Sequence, residues 1–299
     1  MVLEGLTVPV PTLFDAEGSV DSGRNARFAR ELSDARVDHL FVLGSLGEFP
    51  SITASERRPL IDVVVESAGG KTDVWVGCGA PSTRQAVQFA EEAEGIGAAA
   101  LVAVPPYYLH PWLAAVDHYY RTLRKAVTVP LLAYNIPSLV GYALPPTLVH
   151  SLARDGVLAG IKDTAGSFES VCAFLEGAPE GFSVFPGDDA LASSAIERGA
   201  KGAVMGVANL VPKLCVELVA AARRSDRDRA QELQSLVDRL VAVTKAGPFP
   251  SVDKFLAAQL RGAEVGYRAP YEPLTPSEEA SVLSRLEPLR PLLVPFLGK

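Results

Sequence analysis

Ala99-Ala100-Leu101-Val102-Ala103-Val104 is a six-residue run without a single polar side chain. A strand with one face in water alternates apolar and polar residues, whereas a run that is apolar at every position fits a strand covered on both faces, the condition of parallel sheets. Working outward from this run, seven further short apolar stretches recur along the chain. With the first they are Leu6–Phe14, His39–Ser45, Asp73–Gly79, Ala99–Pro106, Pro130–Pro137, Val157–Asp163, Ser183–Asp189 and Gly202–Asn209. Helical stretches separate them, with legible starts such as Thr53 and Glu56, a capping box opening the stretch that ends near Ser67.

Eight strands alternating with helices predict right-handed crossovers and an α/β fold, a (β/α)8 barrel. The 299 residues suit it, because such barrels exceed the usual domain size. After the eighth strand only helices follow: Pro212–Arg223, Arg227–Lys245, Ser251–Arg261 and Pro276–Leu293. The barrel is expected over residues 1–223, with residues 224–299 as a C-terminal helical extension packed on it as one structural unit. No linker, low-complexity tract or shorter repeat interrupts the pattern.

A net charge of −7 without clustered Lys and Arg argues against a nucleic-acid partner, since neutralising phosphates needs such clusters. Ile96–Val116 and Ala126–Ala153 carry no charge, but prolines interrupt both, so neither is expected to span a membrane. Met1-Val2-Leu3-Glu4-Gly5 has no basic start or long apolar run, so no signal peptide is expected and the chain is placed in the cytoplasm. Cys78, Cys172 and Cys215 are too few for a disulfide framework. His39, His110, His118 and His150 show no metal-ligand spacing, and the adjacent Asp188 and Asp189 are a weak cation signal, so no metal is expected. No phosphate-binding or dinucleotide-binding glycine motif is present.

Chemistry in a parallel barrel sits at the C-terminal ends of strands. Lys162, at the end of Val157–Asp163, is the one lysine of eight placed there, one βα unit after the strand ending in Tyr134. Neighbouring strands bring that amine and that phenol over one pocket. An amine beside a proton carrier suggests an imine-forming enzyme, with apolar walls favouring the neutral amine. The plain alternative is a surface lysine paired with Asp163. Gly44-Ser45-Leu46-Gly47-Glu48 must turn tightly after the second strand. Beyond serving as a turn, it could hold a carboxylate on its backbone N–H groups and the Ser45 hydroxyl.

Gly44-Ser45-Leu46-Gly47-Glu48-Phe49, Pro106-Tyr107-Tyr108, Tyr134-Asn135-Ile136-Pro137-Ser138 with Gly141, Gly160-Ile161-Lys162-Asp163, Gly187-Asp188-Asp189 and Ala208-Asn209 follow one another in an order that carries a resemblance. Together they resemble the dihydrodipicolinate synthase/N-acetylneuraminate lyase superfamily of class I, pyruvate-dependent aldolases, from about Leu6 to Pro276. The resemblance implies that Lys162 forms the imine with pyruvate, that no other cofactor is needed, and that Tyr134 is the general acid and base. It implies a proton relay through Ser45 and through Tyr108, the latter reaching a neighbouring subunit in a tetramer built as a dimer of dimers. It further implies that the backbone of Ser45 and Leu46 binds the pyruvate carboxylate, with Val204 packed nearby. Asn135, Asn209 and Glu48 read more simply as structural groups that tie down backbone or find a buried partner.

Two departures bear on the substrate. Leu139 stands where the synthase branch carries an arginine that grips the carboxylate of aspartate semialdehyde, and an alkyl group cannot replace a guanidinium. Leu46 replaces a usual threonine. Ala190 stands where sialic acid lyases have a glutamate, leaving Asp189 alone to hold sugar hydroxyls. Asp38-His39-Leu40-Phe41-Val42 and Gly266-Tyr267-Arg268-Ala269-Pro270 look more like 2-keto-3-deoxygluconate aldolases, while the turn through Glu48-Phe49-Pro50 also resembles 4-hydroxy-2-oxoglutarate aldolases. The expectation is a carbon–carbon lyase that cleaves a 2-oxo-3-deoxy sugar acid to pyruvate and an aldehyde. A hydratase-aldolase, a synthase-like condensation and a non-catalytic 2-oxo acid binder remain open.

Overall fold

The computed structural model describes residues 3–297, so positions 1, 2, 298 and 299 of the expected units lie outside it. All eight strands form: β1 (Gly5–Pro9), β2 (His39–Val42), β3 (Asp73–Gly77), β4 (Ala100–Ala103), β5 (Leu131–Asn135), β6 (Gly160–Asp163), β7 (Ser183–Pro186) and β8 (Gly202–Val204). They pair in the order β7-β6-β5-β4-β3-β2-β1-β8, each ladder parallel. At the remaining seam the Lys201 N–H donates to the Val184 carbonyl at 3.2 Å. The chain is a (β/α)8 barrel. β8 joins β1 so closely that a Cβ on Gly202 would lie 1.9 Å from the Gly5 carbonyl oxygen, so closure needs glycine there.

The strands are shorter than the apolar runs that announce them. Leu6–Phe14, for example, is ladder only to Pro9, yet Val10, Leu13 and Phe14 stay buried in the loop that follows. Hydrophobicity reports burial, not backbone pairing, and the loops over this barrel are buried too. The capping box forms as read, with Thr53 N–H donating to Glu56 Oε2 at 3.0 Å at the start of the helix Ala54–Ala68. The helices Pro212–Arg223 and Ser251–Arg261 fall where expected, and Arg227–Thr244 lies between them. The final stretch divides into Pro276–Leu286 and Arg290–Leu293, because Pro288 has no N–H to continue the helix.

Two layers of packing result. Between strands and helices lies one large apolar core, and a second fills the barrel itself. There Trp75 and Phe185 meet edge to face, ring centroids 5.2 Å apart, and His39 at the start of β2 stacks on Trp75 at 4.5 Å. The N-terminal end of the barrel is thereby plugged by side chains. The C-terminal helices reach back to the opposite end: Arg261 donates to the Asn209 carbonyl at 2.8 Å and Gln234 to the Asp189 carbonyl at 3.0 Å. Among the described residues no helix is long and apolar enough to cross a membrane.

Candidate active site

Tyr134 and Lys162 are partners in the β5–β6 register, so their side chains leave the sheet on the same, inner face. Lys162 is buried, its Nζ 3.9 Å from the centre of the Tyr134 ring and 5.2 Å from that of Phe41. Asp163 takes the opposite face, where Asn135 donates to it at 2.7 Å, so the surface ion pair does not form. Asn135 also accepts from the Leu144 N–H, and Asn209 donates to the Pro9 and Gly206 carbonyls. Both asparagines tie strand ends together, as their sequence context suggested. The space beside the lysine exists because residue 187 is glycine. A Cβ there would lie 2.2 Å from Thr164 Oγ1 and 2.8 Å from Lys162 Cε.

The Tyr134 phenol is 3.4 Å from Ser45 Oγ. Burial pushes its pKa up, but the positive charge and donor capacity of Lys162, together with the Ser45 hydroxyl, outweigh burial and bring it below the ordinary tyrosine value of 10. Ser45 itself rides on the turn after β2. Thr12 Oγ1 donates to the Gly47 carbonyl at 2.6 Å and the Glu48 N–H to the Ser45 carbonyl at 3.0 Å, which fix the turn from both sides. The N–H groups of Ser45 and Leu46 pair with no acceptor among the described residues, and both residues line the cavity described next.

That cavity, of about 610 Å³, opens at the C-terminal mouth of the barrel, with Lys162, Tyr134 and Val204 among its walls. Leu139 stands at its edge, 63% exposed, on the one-turn helix Pro137–Val140. Asp189 lines the far side, but its two carboxylate oxygens already accept from the Gly206 and Val207 N–H groups at 3.2 and 3.0 Å. Burial raises its pKa to about 6. Beside it lies Asp253, which the sequence did not single out: it is buried, lines the same cavity, and is pushed up to about 7 by burial and by the neighbouring Asp189 charge.

Tyr108 stands apart. It projects into solvent, 88% exposed, from a backbone held at φ +74°, a left-handed conformation that a non-glycine residue adopts at a cost. Leu109 and Trp112 near it are also exposed. Every other sequence-designated residue, namely Lys162, Tyr134, Ser45, Leu46, Leu139, Asp189 and Val204, borders one cavity. Among the described residues no group of three His, Cys, Asp or Glu side chains is placed to hold a metal ion.

Fold and site define a (β/α)8 barrel enzyme with a buried lysine and tyrosine at the floor of its mouth. Residues 2–288 match the model of the dihydrodipicolinate synthetase family, and the chain belongs to that family. It is a carbon–carbon lyase. An uncharacterised DapA-like lyase of Halobacterium salinarum is 39% identical over 289 residues, covering 96% of this chain and 94% of that protein. A 4-hydroxy-tetrahydrodipicolinate synthase of Azoarcus is 32% identical over 95% of this chain and 98% of its own length. Among solved structures, YagE of E. coli K12, a prophage protein of the same family in complex with pyruvate, superposes with a TM-score of 0.92 at 29% identity, covering 97% of this chain and 99% of that one.

Proposed function

We propose that the protein is a class I aldolase that forms an imine between Lys162 and pyruvate and reversibly cleaves a 2-oxo-3-deoxy sugar acid, in the manner of 2-keto-3-deoxygluconate aldolases. The observation that carries this reading is the buried Lys162 amine 3.9 Å over the Tyr134 ring, with Ser45 against the phenol. Lys162, in its amine form, adds to the C2 ketone, and loss of water leaves a protonated imine that withdraws electrons from C3. Tyr134 takes the proton of the C4 hydroxyl, the C3–C4 bond breaks, and the aldehyde departs. The enamine left behind is protonated at C3, and water releases pyruvate and the free amine. The unpaired N–H groups of Ser45 and Leu46 suit the substrate carboxylate. The imine is itself the electron sink, so this chemistry calls for no metal.

The acceptor end supports a neutral, hydroxylated aldehyde. Leu139 offers no charge to a distal carboxylate, Asp189 and Asp253 disfavour one, and the Asp253 carboxyl is placed to accept from a hydroxyl. A second reading, 4-hydroxy-2-oxoglutarate cleavage, draws on Lys245, which lines the outer part of the cavity and would attract an anionic aldehyde. The exposed Tyr108, with Leu109 and Trp112, is proposed to be covered by a second copy of the chain in a tetramer, where Tyr108 completes the relay of the neighbouring site.

The test is to incubate the protein with pyruvate, reduce with borohydride, map the adduct, and then assay condensation with glyceraldehyde, glyoxylate and aspartate semialdehyde. A single adduct on Lys162 and preference for glyceraldehyde are expected. A glyoxylate preference moves the second reading to the front, and a folded protein that takes up no pyruvate is not an aldolase.

A further inference from the structure

Glu48 ends the turn that carries Ser45 and Leu46, and Lys254 lies in the first turns of the helix Ser251–Arg261. The two side chains are 1% and 0% exposed, with Lys254 Nζ 2.6 Å from Glu48 Oε1. Lys254 also donates to the Gly266 carbonyl at 2.9 Å and lies 4.6 Å from the centre of the Phe14 ring. Burial draws the Lys254 pKa down and the Glu48 pKa up, each opposed by the partner's charge. Outside this pair, Arg268 clamps the next segment, donating to the Ser51 carbonyl and pairing with Glu56.

Stability alone does not account for a fully buried ion pair, because an apolar pair of similar volume commonly holds two elements together as well or better. What the ion pair adds is a fixed separation between the two elements. That matters here: the turn is bounded by two non-glycine residues in left-handed conformation, Leu43 at φ +59° and Glu48 at φ +54°. Such a turn keeps its shape only while its surroundings over-determine it. Facing the cavity are Ser45, with its hydroxyl against Tyr134, and Leu46, and the backbone N–H groups of both have no acceptor among the described residues. On the outer side Glu48 pairs with Lys254, its one ion-pair partner among the described residues, from a helix whose adjacent residue, Asp253, walls the same cavity.

We infer that Glu48 and Lys254 are positioning residues for catalysis: their buried ion pair sets the Gly44–Glu48 turn, so that the C-terminal helical extension governs how the substrate carboxylate is bound and how Ser45 meets Tyr134. This rests on the reading of Lys162 as the imine-forming lysine.

Borohydride trapping over a range of pyruvate concentrations, with thermal melting in parallel, tests it on the wild type, on E48M/K254M and on E48D. The double variant removes both charges at similar volume, and E48D keeps the charges while shortening one arm. The expected result is that E48M/K254M melts near the wild-type temperature yet needs about tenfold more pyruvate for half-maximal adduct, with unchanged yield at saturation. E48D shifts the same way by a smaller factor. Wild-type pyruvate dependence in both variants overturns the inference, and E48D decides alone if the double variant does not fold. Failure of the wild type to form any adduct would instead overturn the imine reading, and this inference with it.

Discussion

In the proposed reaction Tyr134 releases and recovers a proton well below the ordinary tyrosine pKa of about 10. Its environment already moves it in that direction: burial opposes ionisation, but Lys162 and Ser45 more than offset it. Because the base form is needed to take the C4 proton, a lowered pKa moves the rising limb of the pH–rate profile to lower pH. Removing the Ser45 hydroxyl, 3.4 Å from the phenol, removes part of that support. Ser45→Ala is therefore expected to shift the limb in kcat/KM upward toward 10 and to slow the reaction about 10- to 100-fold, with Tyr134→Phe losing about 10²–10⁴-fold. An unmoved limb in Ser45→Ala would mean that the tyrosine is tuned by Lys162 and Thr164 without the serine.

The helix Ser251–Arg261 presents Asp253 to the cavity and Lys254 to the turn after β2. Asp253 ionises near 3.8 in the unfolded chain and near 7 in the folded one, so between those values the folded state holds the extra proton. Stability from this group is therefore present at low pH and lost as pH rises toward about 7. Asp253→Asn has no proton to lose. Its melting temperature is expected to rise relative to wild type from pH 4 upward and to level off above about 7, a trend that parallel thermal melts would reveal. Nothing in Ser251-Val252-Asp253-Lys254 announces this role, because charged residues in a helix ordinarily face water and sequence carries no sign of the exception. Strands were easier to read: β4 is apolar on both faces, β5 and β6 are buried throughout with apolar residues leading up to their polar ends, and the pairing of a lysine with a tyrosine there follows from register. Gly187 belonged to a recognised motif, but its reason is a distance to Lys162 Cε that only coordinates supply. Asp189 was expected to meet hydroxyls, and the two N–H groups it already accepts from could not be foreseen from spacing.

For the molecule as a whole, Tyr108 is 88% exposed and held in a left-handed conformation on its own chain, and the proposed relay needs a second copy to use it. If Tyr108 serves the neighbouring copy, Lys162→Ala and Tyr108→Phe variants, each impaired alone, are expected to recover part of wild-type activity when unfolded and refolded together. A mixture no more active than its parts would confine Tyr108 to its own chain. Among the described residues, the cavity over the lysine opens at the C-terminal mouth of the barrel. His39, Trp75 and Phe185 pack in series through the barrel interior from the start of β2 to the level of the lysine, which lies at the floor below the open mouth. Whatever is tethered to that floor cannot depart past a fragment still seated above it. In the proposed reaction, cleavage then has a fixed sequence of departures, the aldehyde first and the tethered pyruvate last, and in the reverse direction pyruvate must arrive before its partner.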